Sequence, residues 1–165
     1  MSHDQPGIAW TDPRVHELLD ALGLAAGSPD IAAIGWATVD LERAENELGG
    51  EWLAAPPDRL LGAAVHRSTD NEPPILLLEP DTEGRLAGAL ARYGEGPVAL
   101  YIQAATRAAP TPRKTRFGSG PFGPERLVLD GSPAGPFLII VEAAEAAESA
   151  AHPAREDSDR VPSEP

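Results

Sequence analysis

Apolar residues recur along the chain in two rhythms, and the points where one gives way to the other mark its elements. Residues 75–78 read I-L-L-L, with Pro74 before them and Glu79-Pro80 after. Proline cannot donate to a ladder, so an apolar run closed by prolines suits a short buried strand. Residues 81–93 are polar and alanine-rich, with Leu86 and Leu90 four apart and Asp81 and Thr82 available as caps, which predicts one amphipathic helix. G-E-G-P-V-A-L-Y-I-Q, residues 94–103, then predicts a second strand. Strand, helix and strand in this order have the form of a joint between two half-modules.

The same patterning orders the rest of the chain. Asp12 and Pro13 start a helix whose stripe is Val15, Leu18, Leu19 and Leu22, and Gly23 closes it. So short a helix needs a packing partner, either the main sheet or a second subunit. Gly27-Ser28-Pro29 is the hinge into the body of the domain. A strand is predicted over 31–39, followed by a helix capped by Asp40 and ended by Gly49-Gly50. Two further strands cover 52–55 and 60–68, separated by Pro56-Pro57-Asp58, and S-T-D-N-E-P leads into the strand after Pro74. Residues 105–124 are rich in proline and glycine, which predicts a long irregular loop beyond a turn near Ala104 to Ala108. The last strands are expected at 126–130 and 137–142.

Three stretches carry a resemblance to a known family. L-L-E-P (77–80), a helix and G-E-G (94–96) make one; I-A-A-I-G-W-A-T-V-D-L (31–41) is the second, and G-P-F-L-I-I-V-E (135–142) the third. In this order and spacing they resemble the vicinal oxygen chelate superfamily, the fold of glyoxalase I, methylmalonyl-CoA epimerase, extradiol dioxygenases and bleomycin-resistance proteins. The resemblance implies an α+β fold of paired βαβββ modules forming a curled mixed sheet. To this the patterning adds an N-terminal helix and a disordered acidic C-terminal tail. The expected divisions are an arm and helix over 1–29, a glyoxalase-like domain over 30–143 and the tail over 144–165. Within the domain, 30–80 is the first module, 81–95 the linker helix and 96–143 the second module.

Composition changes this picture in a few respects. The 165 residues suffice for one domain with a substantial core. Cysteine is absent, so no disulfide framework or thiolate metal site is available. No apolar run has membrane-spanning length and the N-terminus lacks the regions of a signal peptide, so a cytoplasmic protein with no membrane partner is expected. The formal charge of −13 argues against nucleic acid as a partner. Part of that acidity falls in the tail.

The resemblance also carries over four strand positions that, in metal-dependent relatives, supply His, Glu or Gln to one divalent ion. They fall on Ala33, Leu76, Ala99 and Ile139, none of which can coordinate a metal. Shifting each by up to two residues brings in only the phenol of Tyr101. A metal-independent protein with no cofactor is therefore expected. His3 and His152 lie in the tails and His16 on the first helix, leaving His66 as the histidine of the barrel region. Glu79 and Glu142 fall on the opposite strand parity, which assigns them to strand-end solvation.

Strand alternation builds the expected cavity lining from Ala33, Gly35, Ala37, Leu76, Leu78, Ala99, Tyr101, Gln103, Phe137, Ile139 and Val141. The small residues of the first strand are expected to leave room for a small, largely apolar organic molecule. Arg107, Arg113, Lys114 and Arg116 form a basic cluster in an acidic chain, and Arg113 and Arg116 are candidates to hold an anionic group of that ligand. Two functions remain open. One is binding alone, by sequestration of the kind the resemblance to drug-resistance proteins implies. The other is a metal-independent isomerase, cyclase or lyase acting on a natural-product or acyl-CoA-like substrate, with Tyr101, Gln103 and His66 in catalytic roles. The resemblance is also compatible with a homodimer.

Overall fold

The computed structural model describes residues 12–105, 111, 112, 114–131 and 135–142. Helix α1 (Pro13–Leu22) begins as its sequence dictates: Asp12 accepts from the Arg14 amide, proline takes the first turn, and Gly23 closes it in the left-handed region. The first module follows as β1 (Ile31–Ala37), α2 (Leu41–Leu48), β2 (Trp52–Asp58), β3 (Ala63–Ser68) and β4 (Ile75–Pro80). Helix α3 (Arg85–Tyr93) leads to the second, formed by β5 (Gly96–Gln103), β6 (Thr115–Gly120), β7 (Gly123–Val128) and β8 (Phe137–Val141).

All eight strands join one sheet in the order β2-β3-β4-β1-β5-β8-β7-β6. Each half repeats the other. β1 pairs parallel with β4 as β5 does with β8, and antiparallel strands continue outward on both sides. The antiparallel pair of β1 and β5 is the seam between the halves. Twist curls the sheet until its two outermost strands approach, and the Arg59 amide donates to the Ser119 carbonyl at 2.9 Å. The fold is thus the expected α+β pairing of modules around a curled mixed sheet.

Alternation divides the strand side chains between two cores. On the outer face, Val15 and Leu19 of α1 pack on Ile31, Ile34, Ile75, Leu100, Ile102, Leu138 and Ile140. Of the two expected resting places for α1, the structure shows the main sheet. The inner face gathers Ala33, Ala37, Val65, Leu76, Leu78, Ala99, Tyr101, Leu127, Phe137 and Ile139. Among the described residues no helix is long and apolar enough to cross a membrane.

Several boundaries differ from the sequence reading. β2 runs on through Pro56 and Pro57 to Asp58, because an outermost strand tolerates proline where an inner one would not. Helix α3 starts after Gly84 with no side-chain cap, so neither Asp81 nor Thr82 performs that role. The predicted loop over 105–124 contains β6 and the start of β7. A Cβ on Gly118 would stand 2.7 Å from Leu60 Cδ2, and one on Gly120 would stand 2.0 Å from Glu125 Oε2. Those glycines admit neighbouring side chains into a strand. The tail expected over 144–165 lies outside the described residues.

The joint's carboxylates do more than solvate strand ends. Glu79 Oε2 accepts from the Leu41 amide at 2.9 Å, while Asp40 Oδ1 accepts from the Arg43 amide at 2.9 Å. Glu95, the middle residue of G-E-G, accepts from the Val39 amide and the Thr38 hydroxyl, both at 2.8 Å, and pairs with Arg43. Both motif glutamates therefore clamp the start of α2 against the seam. Glu142 pairs with Arg126.

Candidate functional site

Among the described residues, three polar side chains meet on the inner face. β2 ends at Asp58, where the chain turns back toward β3. Asp58 Oδ1 accepts from the amides of Leu60 and Leu61, both at 2.9 Å, the aspartate-turn geometry that residue type favours. Its other oxygen, Oδ2, accepts from the Tyr101 hydroxyl at 2.6 Å. Tyr101 comes from the middle of β5, and its ring is wholly buried. From β7, Glu125 turns inward with its Oε1 accepting from the Phe122 amide at 3.1 Å, while its Oε2 is buried with no partner among the described residues. Phe122 lies over the group, its ring centroid 5.9 Å from that of Tyr101.

Burial decides the protonation of these three groups. It raises Asp58 above the ordinary carboxylate value, against the lowering effect of its three donors. Burial, then the negative charge of Asp58, pushes Glu125 up to about 8. Tyr101 is raised well above its ordinary value, by burial first and by Asp58 second. Glu125 therefore keeps its proton at neutral pH, while the three donors at Asp58 oppose the rise that burial causes there.

The residues singled out from sequence divide into three groups. Ala33, Gly35, Ala37, Leu76, Leu78, Ala99, Tyr101, Phe137, Ile139 and Val141 come together on or beside the inner core. The room expected beside β1 is occupied: a Cβ on Gly35 would stand 2.9 Å from both Ala99 Cβ and Leu78 Cδ1. Gln103 is exposed at the end of β5, its amide bonded to the Asp30 carbonyl. His66 faces away from Val65 and Arg67 on β3, half-buried with its Nδ1 against Glu45 of α2. The structure thus brings Tyr101, but not Gln103 or His66, to the interior acids. Arg116 is exposed on β6 and Lys114 precedes it, also exposed, while Arg107 and Arg113 lie outside the described residues.

Asp58 and Glu125 were missed in the sequence. Pro56-Pro57-Asp58 reads as a turn, and Glu125 sits beside a proline. A signal did exist for Glu125: it is two residues from Leu127, hence on the same face of a strand.

The residues at the four carried-over ligand positions do not fit a metal ion. Ala33, Leu76, Ala99 and Ile139 offer hydrocarbon only, and they are buried among other apolar side chains. Among the described residues no three His, Asp or Glu side chains are grouped as a metal site requires.

A scan against protein-family models finds no match, and no curated protein matches the sequence. Solved structures do. A methylmalonyl-CoA epimerase from Mycobacterium tuberculosis is 18% identical, with 78% of this chain and 99% of that chain covered and a TM-score of 0.52. The chain has the vicinal oxygen chelate fold. A hypothetical protein from Bacillus halodurans shares this fold at 17% identity, covering 68% of this chain and 93% of its own, with a TM-score of 0.51. A methylmalonyl-CoA epimerase variant from Streptomyces coelicolor, in complex with 2-nitronate-propionyl-CoA, aligns at 20% identity and a TM-score of 0.50, with 70% and 94% covered. On this fold, Tyr101, Asp58 and Glu125 bring polar chemistry to an inner face whose carried-over ligand positions are apolar.

Proposed function

We propose that this vicinal oxygen chelate protein binds a small acyl compound of the acyl-CoA type inside the curled sheet and moves a proton next to its carbonyl without a metal ion. The observation that carries the reading is the buried Glu125 carboxyl with its unpartnered Oε2 beside the Tyr101–Asp58 pair. A general base works best with a proton affinity near the operating pH, and Glu125 titrates at about 8. In the reaction, the minor fraction of Glu125 that is ionised, about a tenth at pH 7 for a group raised to about 8, takes the proton as the bond between the α-carbon and its hydrogen breaks. The electron pair moves onto the carbonyl oxygen as an enolate. The Tyr101 hydroxyl is the donor that meets the developing charge, its single hydrogen turning from Asp58 Oδ2 to the enolate oxygen. Delivery of a proton to the opposite face of the planar enolate completes an isomerisation at the α-carbon, and expulsion of a β-substituent instead completes an elimination. The likeness to epimerases that act on acyl-CoA thioesters supports the substrate class.

The rival reading is binding without chemistry. The mostly apolar lining of the inner face is the observation behind it, because hydrocarbon surface can hold a ligand but supplies no reacting group. One experiment separates the two. The protein is incubated with α-methyl-branched acyl-CoA thioesters in deuterium oxide with a chelator present, and deuterium uptake is followed by mass spectrometry. Uptake that is indifferent to the chelator and falls about a hundredfold or more in Glu125→Gln is expected. Thioester bound but unlabelled would establish the rival, and neither binding nor labelling would overturn both.

A further inference from the structure

The interior acids are sealed, so a ligand must enter somewhere, and one rim of the inner face is built differently from the rest. In the antiparallel register Leu53 of β2, Arg67 of β3 and Leu76 of β4 lie side by side, and such partners share a face of the sheet. Leu76 is buried in the inner core, whereas Leu53 is 63% exposed and Arg67 is exposed as well. The inner face thus reaches solvent at this rim. Phe122 closes it. Its ring lies 5.3 Å from the Arg67 guanidinium carbon and 5.9 Å from the Tyr101 ring, and its backbone amide donates to Glu125 Oε1.

Several arginines have no carboxylate partner among the described residues, and Arg67 differs from them in resting on the ring that also meets Tyr101. The formal charge is −13, yet among the described residues no carboxylate pairs with Arg67, and its recorded interaction is with the face of Phe122. A cation resting on an aromatic ring at an exposed site is held weakly, whereas a phosphate or carboxylate offers the guanidinium two charge-assisted hydrogen bonds. An anion arriving at the rim therefore outcompetes the ring. Phe122 then loses its outer support, and the same movement frees the Glu125 oxygen that its amide holds.

We infer that Arg67 is the docking point for an anionic group of the ligand and that Phe122 is the cover it releases. The inference deepens the proposed proton transfer, on which it rests, by requiring a substrate with a negative group beyond its reacting carbonyl. A coenzyme A phosphate and a free carboxylate share this chemistry. The acidic chain discourages anions in general, so Arg67 also makes the rim selective by position.

Calorimetric titration of the intact protein with coenzyme A and, separately, with malonate tests this. At least one probe is expected to bind, with affinity about tenfold or more weaker in Arg67→Gln, the loss of a charge-assisted contact, and partly restored in Arg67→Lys. Coenzyme A alone would mark a phosphate as the docked group, malonate alone a carboxylate. Amide exchange at Phe122 should quicken when the bound probe is present, and that acceleration should vanish in Arg67→Gln. Failure of both probes to bind, equal binding by wild type and Arg67→Gln, or unchanged exchange at Phe122 would overturn the inference. Binding that follows Arg67 with no deuterium uptake from thioesters would instead sink the proton-transfer reading and leave the entrance standing.

Discussion

Glu125 is a carboxyl stored where water cannot reach it, and its consequences for stability can be worked out directly. The folded state holds the proton to about pH 8, while the unfolded chain releases it near the ordinary value of 4.5. Between those limits the folded state binds more protons than the unfolded one, so stability falls as pH rises through this window and levels off above it. Glu125→Gln keeps the shape and removes the titration. Its urea stability should match wild type near pH 4.5 and exceed it by roughly 5 kcal/mol at pH 9, the order implied by a proton held that tightly. A parallel decline of both proteins with pH would show that Glu125 is not the group responsible. At Asp58 the sign is the same, because burial raises that carboxyl too, and the Tyr101 hydroxyl is one of three donors that limit the rise.

Among the elements, α2 depends most visibly on residues distant in sequence. Its start is held by Asp40 from within, by Glu79 from β4 and by Glu95 from the turn into β5. Negative charge beside free amides at a helix start is favourable, so Glu79→Ala should destabilise the protein by about 1–2 kcal/mol in urea unfolding, with little change in the slope. An effect indistinguishable from zero would mean that water replaces Glu79 there. The joint was legible from sequence because strand, helix and strand each followed a local rhythm. The clamp was not, because its partners lie up to 57 positions apart. β6 was hidden for a related reason. Gly118 and Gly120 look like loop residues, and only the approach of Leu60 and Glu125 explains why they stand in a strand. The interior acids share that origin: Asp58 reaches Tyr101 only because the sheet curls.

Over the whole molecule, like charge is the dominant electrostatic fact. At −13 the chain repels itself when compact, and salt screens that repulsion over about 10 Å at 0.1 M. Adding sodium chloride to about 0.5 M should therefore raise the thermal midpoint by roughly 3 °C, corresponding to about 1 kcal/mol for a chain of this size. A fall with salt would instead point to attractive ion pairs, such as Arg126 with Glu142, outweighing the repulsion.

The seam between the halves has a consequence for how the chain is made. Ile34 in the middle of the sheet must await Leu100 before its second neighbour exists, since β1 pairs with β5 as well as with β4. Synthesis at about 5–20 residues per second leaves that interval open for several seconds. Throughout it the nascent first half presents a bare, apolar strand edge, the kind of surface on which neighbouring nascent chains stick. The hazard of misassembly is thus greatest on the ribosome, before the second half has emerged to cover it.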